Sequence, residues 1–394
     1  MLLLDNPVQR YAWGRPDGLA NLLGTERTGA PEAELWVGTH PRASSVVAGG
    51  PLAGMPLAQV VSADPVRWLG ERLAEEGERA LPFLLKVLAI GAPLSLQAHP
   101  SAEQARVGYA REQSAGIALD ADERSYRDRS AKPEVLVAID ESFALCGFRD
   151  PGSAADLIER LGDPVVPMTG LLRVSDDPLQ DALAWLLQLE APARRAVAAA
   201  AATAAASAPS DPDDPWAWVR ILSARYPDDP TCIAPLLLHL LHLEPGDPVH
   251  LPAGNLHAYL AGAGIEIMAA SDNVLRGGLT PKHVDVAELL HVLRFEPGAP
   301  ARPRMVERGD RTRYDAGEEA FALTVVRPGL DGSWISAVEP SLLLPLGRPA
   351  SAAAGGELLE IGAGQAVLVE PGHRVLLRAD GPVWWATTGR GADA

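Results

Sequence analysis

Apolar and polar residues alternate in short runs through the first 150 residues, as in "AELWVGTHPRASSVVAG" and "LPFLLKVLAIGAPLSLQAHP". Such alternation places every second side chain on one face and predicts half-buried strands. One helix interrupts them: "SAEQARVGYAREQSA", from Ser101 to Ala115, follows Pro100, with Ser101 as N-cap and Gln104 where a capping box wants Glu or Gln. From 150 to 243 the pattern turns helical, through "SAADLIERLGD", "LQDALAWLLQLEAPARRAVAAAAATAAASA", "PWAWVRILSARYP" and "CIAPLLLHLLHL". Within the last of these, His239 and His242 are read as core or interface residues one helical turn apart. After Glu244 strands return, with Pro/Gly turns every eight to twelve residues as far as Trp385, a spacing that suits a β-sandwich or jelly roll.

Two polar positions stand out. In "APLSLQAHP" Leu94, Leu96 and Ala98 alternate with Ser95, Gln97 and His99, so Gln97 and His99 project side by side, about 7 Å apart along the strand. They are either two polar residues on a wet edge or two ligands. In "AKPEVLVAIDESFALCGFRD" Glu134 opens an apolar strand, where a carboxylate needs a partner unless it is a solvated strand end. In "GDPVHLPAGNLHAYL" the order is Gly246, five residues, Pro252, one, Gly254, two, His257. This resembles the second metal motif of the cupin superfamily, in which a Pro/Gly turn presents a histidine into the barrel; the plain alternative is a hairpin with an incidental histidine. Gln97, His99, Glu134 and His257 together offer an amide oxygen, two imidazoles and a carboxylate, a set that suits zinc with room left for substrate.

Charge and composition narrow the classes. A net charge of −17 argues against nucleic acid or an anionic membrane as partner. Two cysteines, Cys146 and Cys232, favour a reducing compartment. "MLLLDNP" is too short an apolar start for a signal peptide, and "IAPLLLHLLHL" too short for a membrane span, so a cytoplasmic location is expected. Of 34 basic residues only three are lysine: Lys86, Lys132 and Lys282. Where arginine supplies the generic charge, the remaining lysines mark places that need a compact ammonium.

The strings already quoted, with "YAWG" at Tyr11 to Gly14 and "GIEIMAASDNVLRGGLTPKHVDV", resemble the type I phosphomannose isomerases in several segments over residues 1–150 and 240–295. The resemblance implies a cupin jelly-roll catalytic domain over 1–149 and 244–309, a helical insert over 150–243, and a smaller cupin-like domain without metal over 310–394. It implies one zinc ion per chain on Gln97, His99, Glu134 and His257, and interconversion of mannose 6-phosphate and fructose 6-phosphate through an enediol. Arg276, Lys132, Glu266 and Asp272 would be catalytic, and Lys86, Ser95, Lys282, Trp13 and Tyr259 would bind the sugar phosphate; the chain is expected to be a monomer. Glu266 would otherwise be a buried ion-pair partner of Arg276. A lysine beside zinc and arginine would have its pKa pushed down, which suits Lys86 or Lys132 for acid/base work. One departure matters: the family often reads "NHKPE" where this chain reads "SAKPE", so Ala131 stands for a family histidine, with His283 or a water as its substitute.

Overall fold

A computed structural model of the chain describes residues 1–390; the last four residues of the expected 310–394 domain lie outside them. Strands dominate, with helices concentrated between residues 151 and 237. Among the described residues no helix is long and apolar enough to cross a membrane.

A ten-stranded sheet is organised around one long strand, His257–Ala269. Its first part pairs with Ser142–Phe148 and with Leu96–Ala98, the latter at His257 opposite Gln97. Its second part lies between Phe83–Ile90 and Glu134–Ala138. Strand Leu275–Gly278 pairs on the far side of Leu96–Ala98, so His257, Gln97 and Arg276 form one row across three strands. Both faces of Phe83–Ile90 are buried, which is why its eight residues read as a nearly unbroken apolar run.

The helices Pro151–Ile158, Val166–Val174, Pro178–Leu187, Ala191–Ala205 and Pro215–Arg225 share one core with this sheet. Met168, Leu183, Trp216 and Leu222 pack in the same cluster as Phe143, Leu145 and Leu256. The capping box at Ser101 forms as the sequence predicts, over helix Ala102–Ser114.

Two expectations are corrected. "LHLLHL" is strand Leu238–Leu243, not helix, and pairs antiparallel with Ser142–Phe148. Leu at nearly every position does not distinguish a period of 3.6 from one of 2, and the waiting sheet edge decides. His242 therefore stacks on Phe143 (ring centroids 4.6 Å apart) and meets Asp213 at 2.8 Å. The division at residue 310 is also not respected by the sheets. An eight-stranded sheet recruits Leu2–Asp5 and Val46–Val47 from the N-terminus and Arg304–Arg308 from before the expected boundary. Leu4 is wholly buried there, so burial of the "MLLLD" strand, invisible to local pattern, places it. This sheet packs on a four-stranded one through Ile335, Leu343, Val367 and Trp385. Its other face meets Leu85, Val87, Ile265 and Ile267 of the first sheet.

Candidate active site

The turn after Leu251 sets the site's first fixed point. Gly254 has φ +80°, and a Cβ there would lie 2.8 Å from Arg294 Cγ and 3.0 Å from the Val292 carbonyl oxygen. Its N–H donates to the His99 carbonyl at 2.8 Å, tying the turn that leads to His257 to the strand end that carries His99. His99, Glu134 and His257 consequently converge, with one candidate ligand atom from each within 4.8 Å of the others. All three are buried.

Hydrogen bonding fixes what these atoms offer. His99 Nδ1 is 2.7 Å from the Asn273 carbonyl oxygen and His257 Nδ1 is 3.1 Å from that of Asn255. A carbonyl only accepts, so each Nδ1 carries the proton and each Nε2 presents a lone pair. Both Nε2 atoms and Glu134 Oε2 are buried without a hydrogen-bond partner. Three orphaned buried donor atoms facing one point are costly unless a cation satisfies them. Two imidazoles and a carboxylate are the zinc set. Burial, with the charge of neighbouring His99, lowers the His257 pKa to about 4, and burial with Lys132 lowers that of His99. Burial alone would raise Glu134, but Lys132, at 2.7 Å, and His99 hold it well below the usual carboxylate range. All three groups are therefore already in ligating form. Gln97 sits beside them in the His257–Gln97–Arg276 row.

Next to this cluster Lys86 lies 3.1 Å from Glu266 and 3.4 Å from Glu34. Tyr259 donates its hydroxyl to Glu266 at 3.0 Å. One alternative fails here: Glu266 pairs with Lys86, not Arg276. The protein's own groups raise the Lys86 pKa: burial would depress it, but Glu34 and Glu266 more than reverse that. Glu266 is itself raised, by burial first and by Glu134 and Glu34, against the pull of Lys86.

A cavity of about 320 Å³ opens over these groups. It is lined by Trp13, Lys86, Ser95, Gln97, Lys132, Glu134, Tyr259, Glu266, Arg276 and Lys282, all of them singled out in the sequence. A second cavity, of about 260 Å³, shares Lys86, Lys132, Arg276 and Lys282 with it. The rim is cationic. Burial and the Arg127 charge depress Arg276; burial, Arg276 and Arg127 depress Lys282. Repelling cations grouped at one mouth suit an anionic ligand group.

Asp272 lines only the second cavity, where it accepts from Arg42 at 2.7 Å and faces His40 at 3.3 Å. Its carboxylate is engaged there rather than directed at the first cavity. His283 is exposed and lines neither cavity, so it does not replace the side chain absent at Ala131. His373 is exposed in the C-terminal unit, 3.5 Å from Glu370. Sequence reasoning missed Glu34, Arg127, Arg225 and Tyr226. Glu34 was accessible in principle, since it alternates with Trp36 in a strand otherwise apolar. Arg225 and Tyr226 reach the cavity from the helical insert, where no local signal marks them.

Comparison with known proteins agrees with this geometry. The family model for the phosphomannose isomerase type I catalytic domain matches residues 1–151. The mannose-6-phosphate isomerase of Escherichia coli is 34% identical over 94% of both chains, and that of Homo sapiens 32% identical over 75% of this chain and 73% of its own. A solved structure of the Salmonella typhimurium enzyme bound to its substrate and to zinc superposes with a TM-score of 0.91 at 31% identity, covering 98% of this chain and 99% of that one. With a relative this similar along nearly its whole length, the chain belongs to the type I mannose-6-phosphate isomerase family.

Proposed function

We propose that the chain is a zinc-dependent isomerase that interconverts mannose 6-phosphate and fructose 6-phosphate by moving a proton between C1 and C2. One observation carries the reading: three buried, unpartnered ligand atoms in deprotonated form converge at Glu134, which lines a cavity that also holds a buried Lys–Glu network and a cationic rim. His99, Glu134 and His257, with Gln97 beside them, would hold the ion. Bound there, zinc supplies a Lewis acid that polarises the sugar carbonyl and stabilises enediolate charge.

The chain's own residues divide the remaining work. Glu266 is the favoured base: burial raises its proton affinity toward the working range, and the Tyr259 hydroxyl holds one of its oxygens in place. Lys86 stays charged between two carboxylates, so its role is to hold Glu266 and to counter negative charge developing on the sugar. Lys132, anchored on Glu134, offers an ammonium at the same wall. Arg276 and Lys282 take the phosphate, with Ser95 and Trp13 along the sugar. Asp272 acts as an anchor for Arg42 and His40. In this reading the two β units are cupin sandwiches, the first carrying the metal.

The test is a coupled assay of mannose 6-phosphate conversion before and after EDTA, with zinc added back. Activity lost to chelator and restored by zinc is expected. No turnover by folded, zinc-loaded protein would leave a sugar-phosphate-binding pocket without the isomerase.

A further inference from the structure

The segment that carries Arg276 and Lys282 is held from outside the catalytic sheet. Among the described residues only Asp17 and Leu279 have positive φ without being glycine, and Leu279, at +55°, has no side-chain oxygen to favour it. Such a conformation persists only where the surroundings impose it. Here they do so through the helical insert. The Leu279 N–H donates to Asp229 Oδ2 at 2.9 Å and to Thr231 Oγ1 at 3.0 Å. Asp229 is itself fixed, its Oδ1 accepting from the Thr231 N–H at 2.9 Å and from the Thr231 hydroxyl at 2.6 Å. The preceding residue, Gly278, has φ +125°, and a Cβ there would lie 2.2 Å from Thr231 Oγ1. Capping the short helical turn after Asp229 needs only Oδ1; the second oxygen is spent on Leu279. Leu279 lies three residues from Arg276 and three from Lys282, and Leu279, Thr280 and Pro281 line the cavity between them.

We infer that Asp229, with Thr231, is a positioning residue for the cationic rim: by holding Leu279 in its left-handed turn it sets the direction in which Arg276 and Lys282 meet the substrate's phosphate. The inference rests on the isomerase reading of the site. It gives the helical insert a specificity role, coupled to the anion and not to the metal or the proton transfer.

The test compares zinc-loaded wild type with Asp229→Asn and Thr231→Val, both near-isosteric. In Asp229→Asn an amide must oppose an N–H. In Thr231→Val the cap survives and one of the two acceptors for Leu279 is lost. KM for mannose 6-phosphate and the dissociation constant of inorganic phosphate, the latter by calorimetry, should rise together: roughly tenfold in Asp229→Asn and less in Thr231→Val. kcat, zinc content and melting temperature should stay close to wild type. Unchanged phosphate affinity in either folded variant, or a fall in kcat with KM untouched, would overturn the inference. The phosphate measurement needs no turnover, so an inactive wild type would refute the isomerase reading and leave this test intact; should Asp229→Asn not fold, Thr231→Val decides.

Discussion

Replacing Lys86 by Met removes an ammonium from between two carboxylates while keeping its length. At 3.1 and 3.4 Å and an effective dielectric constant of about 20, each contact carries roughly 5 kcal/mol of Coulomb attraction. Desolvation of the ions consumes much of this, so the intact network adds little to stability. Removing the central cation is different, because Glu34 and Glu266 lose the one cation that pairs with both, leaving Glu266 only the weaker pull of Lys132. Breaking a buried pair in this way costs about 3–5 kcal/mol, and the Lys86 side chain is only 10% exposed, so solvent screening relieves little of it.

The sign of the pH dependence separates this account from simple loss of packing. Without Lys86, the Glu266 carboxyl, already raised by burial, rises further above its unfolded value near 4.3. A carboxyl raised in the folded state destabilises above its folded pKa and stops doing so once protonated. Lys86→Met should therefore show its full deficit at pH 8 and a smaller one at pH 5.5. The assay is the shift of the urea midpoint relative to wild type at both values, on protein whose zinc content has been measured. A second change, Glu34→Gln, should recover part of the pH 8 loss. A deficit equal at both pH values, or none at pH 8, would refute the argument.

Asp272 titrates the other way. Burial would raise it, but the His40 hydrogen bond and the charges of Arg42 and Lys132 hold it at about 2, so its contribution of about 2 kcal/mol is complete above pH 3.8 and lost as pH falls toward 2. Asp272→Asn should accordingly lose that amount equally at pH 7 and pH 5.5, read in the same urea titrations. Gly262→Ala would place a Cβ 2.0 Å from Ser142 Oγ at φ +120°, and should lower the melting temperature and cost at least about 2 kcal/mol.

Much of the site was legible because the residues concerned contradict their local setting. Gln97 and His99 stand where an alternating strand would carry solvent-facing groups, Glu134 opens a run of four buried aliphatics, and three lysines persist in a chain that otherwise uses arginine. Each is an inconsistency between local pattern and residue chemistry, which is where functional residues show. What stayed hidden depends on contacts between distant segments. Leu2–Asp5 belongs to the C-terminal sheet because it pairs with Ala366–Val369, more than 360 residues on. Leu238–Leu243 is a strand because the edge beside Ser142–Phe148 was free to take it. Glu34 matters because its register opposite Leu88 brings its carboxylate to Lys86.

The Tyr259–Glu266 hydrogen bond shows how far this dependence goes. Seven residues of extended strand span roughly 23 Å, and positions of opposite parity point to opposite faces. On a regular strand the two side chains could not meet. Yet Phe143 pairs with Ala261 and Ala144 with Tyr259, so Leu260 is an extra residue. Such a bulge reverses the parity and bends the strand. Two residues on, Gly262 takes φ +120° against Ser142, and the strand leaves one set of partners for another. That bend brings Tyr259, two residues from His257, and Glu266, the base proposed above, to one cavity. Strict alternation reads Glu266 correctly against Ile265 and Ile267, but it assigns Tyr259 to the wrong side. The strand's glycines and its bulge, rather than any single polar residue, join the His99–Glu134–His257 cluster to the Lys86–Glu266 network.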